Sequence, residues 1–100
     1  MNMQQMMAQA QKMQRELKKA QAELAEKEFV ISKGGAVTVT VLGSKEIKSV
    51  NIDADAFDAD NKDMVEEMIA LAINEAMEKI DAESEAINER ITGQRGGFGF

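Results

Sequence analysis

The feature that most constrains this chain is a single short alternation, Val37-Thr38-Val39-Thr40-Val41-Leu42, in a region bounded by two long stretches that read as helix. Three valines at every second position put one apolar face on a strand, with threonine on the other. Gly43-Ser44-Lys45-Glu46 follows as a turn, and residues 47–52 (Ile-Lys-Ser-Val-Asn-Ile) return as a strand of weaker alternation. Before it, residues 28–32 with Phe29, Val30 and Ile31 lead into Lys33-Gly34-Gly35 and read as another strand. The three form an antiparallel meander.

On either side the chain reads as helix. Residues 3–26 are Gln, Met, Ala, Lys, Glu and Leu for the most part, with no Gly or Pro. Positions 3, 6, 10, 13, 17, 20 and 24 hold Met, Met, Ala, Met, Leu, Ala and Leu. Alternate spacings of three and four make this a heptad seam, narrower than the stripe of a helix sunk in a globular core. Its opposite face, at about 100° per residue, carries Lys12, Arg15 and Lys19, with Lys18 at the edge. That group admits two readings: a solvated face with Glu16 and Glu23 as neighbours, or a phosphate-binding stripe.

The second long helix is expected over residues 61–92, stopped by Gly93. Ahead of it lies the acidic run Asp53-Ala-Asp-Ala-Phe-Asp-Ala-Asp60, which lacks the Gly and Glu that a helix–loop–helix calcium site needs at its sixth and twelfth positions. Asp60 or a neighbour is expected to cap the helix, and Phe57 to pack the turn onto the core. The first half of this helix is apolar on more than one side. Such breadth implies burial against the sheet and against another subunit, with Met64, Met68, Ile69, Ile73, Ala76 and Ile80 as the candidate dimer interface. Asn74 within it reads as a buried amide that fixes helix register.

Helices of roughly 35 and 45 Å cannot both be covered by strands of about 20 Å. Their projecting ends must pair with each other or with a second copy, and a two-fold homodimer is the commonest solution.

One hundred residues suit one domain, residues 1–100, with 93–100 as a flexible glycine-rich tail. Without His, Cys or Tyr, most nucleophile, general-base and metal-site arrangements are excluded. An enzyme is not expected, nor a cofactor, a metal or a small-molecule substrate. Gly34-Gly35 leads into a strand and lacks Gly-Lys-Ser/Thr, so it is no phosphate loop. The opening residues lack a basic start followed by an apolar run, and no window approaches a membrane span, so a reducing cytoplasm is the expected compartment. Net charge is −6, but unevenly spread. Residues 1–50 hold eight basic and five acidic groups, a net of +3, whereas residues 51–100 hold four and thirteen, a net of −9. An acidic total disfavours nucleic-acid binding by the whole surface but leaves it open to one basic face.

Several stretches in order resemble the YbaB/EbfC family of small bacterial nucleoid-associated proteins. They are Met6-Met7-Ala8-Gln9-Ala10-Gln11-Lys12-Met13-Gln14, Gly34-Gly35-Ala36-Val37-Thr38-Val39, Gly43 in the turn, Val50-Asn51-Ile52-Asp53, and Ala72-Ile73-Asn74-Glu75-Ala76 followed by Lys79. The resemblance implies an α+β fold: an α-β-β-β-α subunit with the meander between two long helices, in a tweezer-like homodimer that binds duplex DNA in the nucleoid. It implies no catalytic residue and no cofactor. It makes Lys12, Arg15, Lys18 and Lys19 the candidate phosphate contacts, with Arg90 and Arg95 weaker ones near the end of the second arm. A different class stays open beside it: a protein-interaction adaptor whose acidic helix and Met-rich end dock another protein, such as one of DNA repair.

Overall fold

A computed structural model describes residues 2–93. Helix α1 (Met3–Glu26) is followed by strands β1 (Glu28–Lys33), β2 (Val37–Leu42) and β3 (Ile47–Ile52), two 3-10 turns, and helix α2 (Lys62–Thr92). The order is that expected, with β1 one residue longer. The strands form one antiparallel sheet in the order β1-β2-β3, and the whole is elongated, 69 × 24 × 15 Å.

Each element ends for a local reason. Asn2 Oδ1 accepts from the Gln5 N–H at 2.8 Å and caps α1. Gly34 and Gly35 both take positive φ, 59° and 64°, in the turn that closes with the Ala36 N–H on the Lys33 carbonyl, a conformation for which glycine is the favoured residue. Gly93 adopts the left-handed conformation after α2, and its N–H returns to the Glu89 carbonyl at 2.8 Å.

The valines of β2 are the centre of the core. Val37, Val39 and Val41, with Phe29 and Ile31 of β1, lie under α2 against Val65, Ala72, Ala76 and Ile80. Ala72 and Ala76 are completely covered, their small side chains letting the helix backbone approach the sheet. The helix rests on β1 and β2 and leaves β3 open. Val50 is paired with Val39 across the strands, yet stays 43% exposed, and Ile47 45%.

Beyond the sheet, the second half of α2 packs antiparallel on α1. Leu24 is buried there with Ile87 against it. Gln21 Nε2 donates to the Ser84 carbonyl and to Asn88 Oδ1, both at 3.3 Å, while Ser84 Oγ donates to Gln21 Oε1. The second half of α2 and the C-terminal part of α1 thus cover one another within the subunit.

Three local expectations are corrected. Asp60 does not cap α2: Asp58 and Asp53 instead accept from the N–H groups of Asp60 and Asp55 and cap the two short turns. Asn61 precedes the helix with no capping bond of its own, its amide donating to the Ala56 carbonyl. Phe57 is 78% exposed rather than packed on the core, because Ala56 takes the buried position in that turn. Asn74 is exposed, since it lies on the face of α2 turned from the sheet.

The junction between α1 and the sheet is made by the β2–β3 turn. The Gly43 N–H donates to the Lys27 carbonyl at 2.8 Å and the Ser44 N–H to the Ala25 carbonyl at 3.1 Å, which satisfies acceptors left over at the end of α1. A Cβ on Gly43 would stand 1.8 Å from the Leu24 carbonyl oxygen. Gly43→Ala must therefore push backbone from backbone and is expected to cost roughly 2–3 kcal/mol. Gly35→Ala, with open space but positive φ, should cost about 1 kcal/mol. Thermal melts that rank the two equally would contradict this account.

A second anchor ties α2 to β1. Lys33 Nζ reaches Glu75 Oε1 at 2.5 Å and Lys79 reaches its other oxygen at 3.6 Å. The hydrogen bond from Lys33 is the largest cause holding the Glu75 carboxyl below its ordinary value, with the charges of both lysines adding to it. A folded-state value below the unfolded one contributes stability above the ordinary glutamate range, lost as pH falls through the folded value. Glu75→Gln should flatten the acid-side fall in Tm while leaving the melt near neutrality only slightly lower, as two-sided melts across pH would record.

Candidate nucleic-acid interface

The basic residues of this chain divide into two groups by what stands beside them. Lys27 meets Glu83 at 2.8 Å, Lys45 meets Asp81 at 2.8 Å, and Lys62 meets Glu66 at 3.0 Å. Lys48 is paired with Glu28, and Lys33 and Lys79 share Glu75. These lysines sit on the sheet, its turns and α2, and their charge is locally cancelled.

Lys12, Arg15, Lys18, Lys19 and Arg90 form no ion pair among the described residues. All five are exposed. The first four lie on one segment of α1 where Glu16 is the only carboxylate, a local net charge of +3. The segment from Lys12 to Lys19 spans about 10 Å of helix. It faces away from α2, because the seam opposite carries Leu17, Ala20 and Leu24 into the helix pair. The long-range packing then adds what spacing in the sequence does not show. Arg90 lines one cleft with Lys19, Ala20 and Ile91, flanked by Glu16 and Glu23, so a residue near the end of α2 joins the basic segment of α1. Arg95 lies outside the described residues, as do Phe98, Phe100 and the rest of the expected flexible tail.

Unpaired ammonium and guanidinium groups on a solvated helix face are suited to contacts with phosphate oxygens. No aromatic platform for base stacking stands beside them among the described residues: Phe29 is buried in the sheet and Phe57 sits in the turn before α2. Among the described residues no three His, Cys, Asp or Glu side chains stand together as a metal site would require.

The candidate dimer residues of α2 separate by face. Ala76 and Ile80 are spent on the subunit's own core and present no surface. Met64 is exposed, and Met68, Ile69 and Ile73 are half-buried at the margins of the helix–sheet contact. Ile69 continues into an apolar groove with Ile52, Ala56, Phe57 and Val65. Ile47 and Val50 extend the uncovered apolar surface along β3. These last two are legible in the sequence as apolar positions but not as exposed ones, since which strand α2 leaves uncovered depends on packing between residues far apart in the chain.

Comparison with known proteins gives a consistent picture. Residues 1–95 match the model of the YbaB/EbfC DNA-binding family. The chain is 47% identical over 94 residues to a nucleoid-associated protein of Clostridium novyi, covering 93% of this chain and 82% of that protein. It is 45% identical over 97 residues to a nucleoid-associated protein of Agathobacter rectalis, covering 96% and 86%. The fold is also that of the crystal structure of an uncharacterized protein from Helicobacter pylori, with a TM-score of 0.75 at 18% identity, covering 93% of this chain and 99% of that one.

Proposed function

The chain belongs to the YbaB/EbfC DNA-binding family, and from that premise we propose that it binds duplex DNA in the nucleoid through phosphate contacts made by the basic face of α1. The observation that carries the reading is the division of its cations. Six lysines are neutralised by carboxylates of the same chain, while Lys12, Arg15, Lys18, Lys19 and Arg90 are left open on one arm. A phosphate backbone supplies the missing counter-charge. Contacts of this kind are weakly sequence-selective and strongly salt-dependent. The carboxylates of α2 keep the rest of the surface from joining in, so the arm is the part of the molecule that approaches DNA.

We further propose that two subunits join through the open apolar margin where β3 meets α2. Ile69 and Ile73 from the candidate set lie on or near it, and Ile47, Val50 and the groove beside Phe57 supply surface that a lone subunit leaves wet; Met68 lies instead beside Gly34, toward the β1 side of the helix. A two-fold arrangement would give the assembly two basic arms. The exposed Phe57 amid Asp53, Asp55, Asp58 and Asp60 favours a second reading, an adaptor that docks another protein there without touching DNA.

Binding of a labelled mixed-sequence duplex across a salt series separates the two. The native protein should lose affinity steeply with salt. Lys12→Ala/Arg15→Ala/Lys19→Ala should lower the slope of log K against log salt by roughly 2–3. No binding even at low salt would favour the adaptor. For the assembly, sedimentation at micromolar concentration should give two chains for the native protein and one for Val50→Asp/Ile73→Asp; an unchanged mass in that variant would place the interface elsewhere.

A further inference from the structure

The heptad seam of α1 is only partly used. Leu24 is buried against α2, and Met13, Leu17 and Ala20 are half-buried, but α2 ends alongside them: Thr92 lines one recess with Ala10, Met13 and Leu17. Among the described residues, the first turns of α1 run on past that point without a neighbour. Met3 is 75% exposed and Met6 56%, and Ala10 is exposed on the same face, with Met7 at its edge 57% exposed.

This tip differs from the rest of the molecule in charge. Residues 2–11 read Asn-Met-Gln-Gln-Met-Met-Ala-Gln-Ala-Gln and hold no ionisable side chain, in a chain where 30% of residues are charged. We propose that the tip of α1, residues 3–10, pairs side by side with the same tip of a copy in another assembly, linking separate assemblies end to end.

Three features favour a copy of this chain over other occupants. The spacing of the seam is that of helix-on-helix packing, and it continues without interruption from the part of α1 already packed on α2. The flanks of the seam, Asn2, Met7, Gln9 and Gln14, are uncharged. Two copies of net charge −6 therefore meet there through surfaces that carry no charged side chain, while a strongly charged partner would find no complementary charge. The contact is also self-complementary, as a two-fold pairing of identical tips requires. Four side chains on each side fall far short of the 20–30 residues of a standard interface, so the pairing is weak in dilute solution. It becomes populated where molecules are held close together and the effective concentration is high.

The chain has no cysteine, which allows a direct test in the full-length protein without DNA. Met6→Cys places one thiol on the seam of the tip, and Ala8→Cys places one on the opposite face of the same turns. With a short bismaleimide, Met6→Cys chains should couple about tenfold faster than Ala8→Cys chains. The coupling should fall in proportion on dilution and change little with salt, because no charge is involved. Equal rates for the two thiols would overturn the proposal, leaving only random collision. A seam thiol slower than the control would overturn it by showing that the seam is covered from within the chain. Selective coupling that dilution leaves unchanged would also overturn it, by placing the contact inside one assembly.

Discussion

The architecture depends on one backbone contact, the seating of the β2–β3 turn on the end of α1. Helix α1 finishes with unsatisfied carbonyl groups, as every helix does, and the N–H groups of Gly43 and Ser44 take two carbonyls at its end. A side chain cannot be present at residue 43, because the Leu24 carbonyl occupies the space. This contact sets the direction in which α1 leaves the sheet. With Lys27 alone between α1 and β1, the chain has no slack with which to choose another direction.

That direction decides how α2 is used. The helix is longer than the sheet it covers, and its two halves have different partners. The part from Val65 to Ile80 presents Val65, Ala72, Ala76 and Ile80 to the valines of β2, and the part beyond presents Ser84, Ile87 and Asn88 to α1. Two fully covered alanines, Ala72 and Ala76, bring α2 close to the sheet, whereas a mixed polar and apolar contact joins it to α1. The sheet is wider than one helix, so the inner face of β3 is left open, and Ile47 and Val50 stay partly in water.

Charge follows the same division. The carboxylates of α2 are numerous enough to neutralise the lysines of the sheet and its turns, which lie beside them: Lys27 with Glu83, Lys33 with Glu75, Lys45 with Asp81. They do not reach the outer face of α1, because the apolar seam stands between. An acidic protein thereby keeps one basic arm. The family to which the chain belongs is a DNA-binding family, and the DNA contact proposed for the arm rests on this separation.

Much of this was legible in the residues alone. Alternation at Val37, Val39 and Val41 gave the central strand, and the absence of Gly and Pro over residues 3–26 together with Gly93 gave the helices almost to the residue. The seam and the basic stripe of α1 followed from periods of 3.5 and 3.6, since helical neighbours are close in sequence. The misreadings at Asp60, Phe57 and Asn74 share a cause: each asked which way one side chain faces at an irregular or two-sided position, which local pattern does not decide. The meeting of Arg90 with Lys19, the spending of Ala76 and Ile80 on the subunit's own core, and the exposure of β3 all depend on contacts between residues far apart in the chain. The sequence by itself determined the elements, their order and the sign of charge on each, because these arise from the chemistry of near neighbours. Which cations remained unpaired, and which apolar faces remained open, was decided only when the Gly43 turn fixed α1 against the sheet and long-range packing allotted each surface its partner.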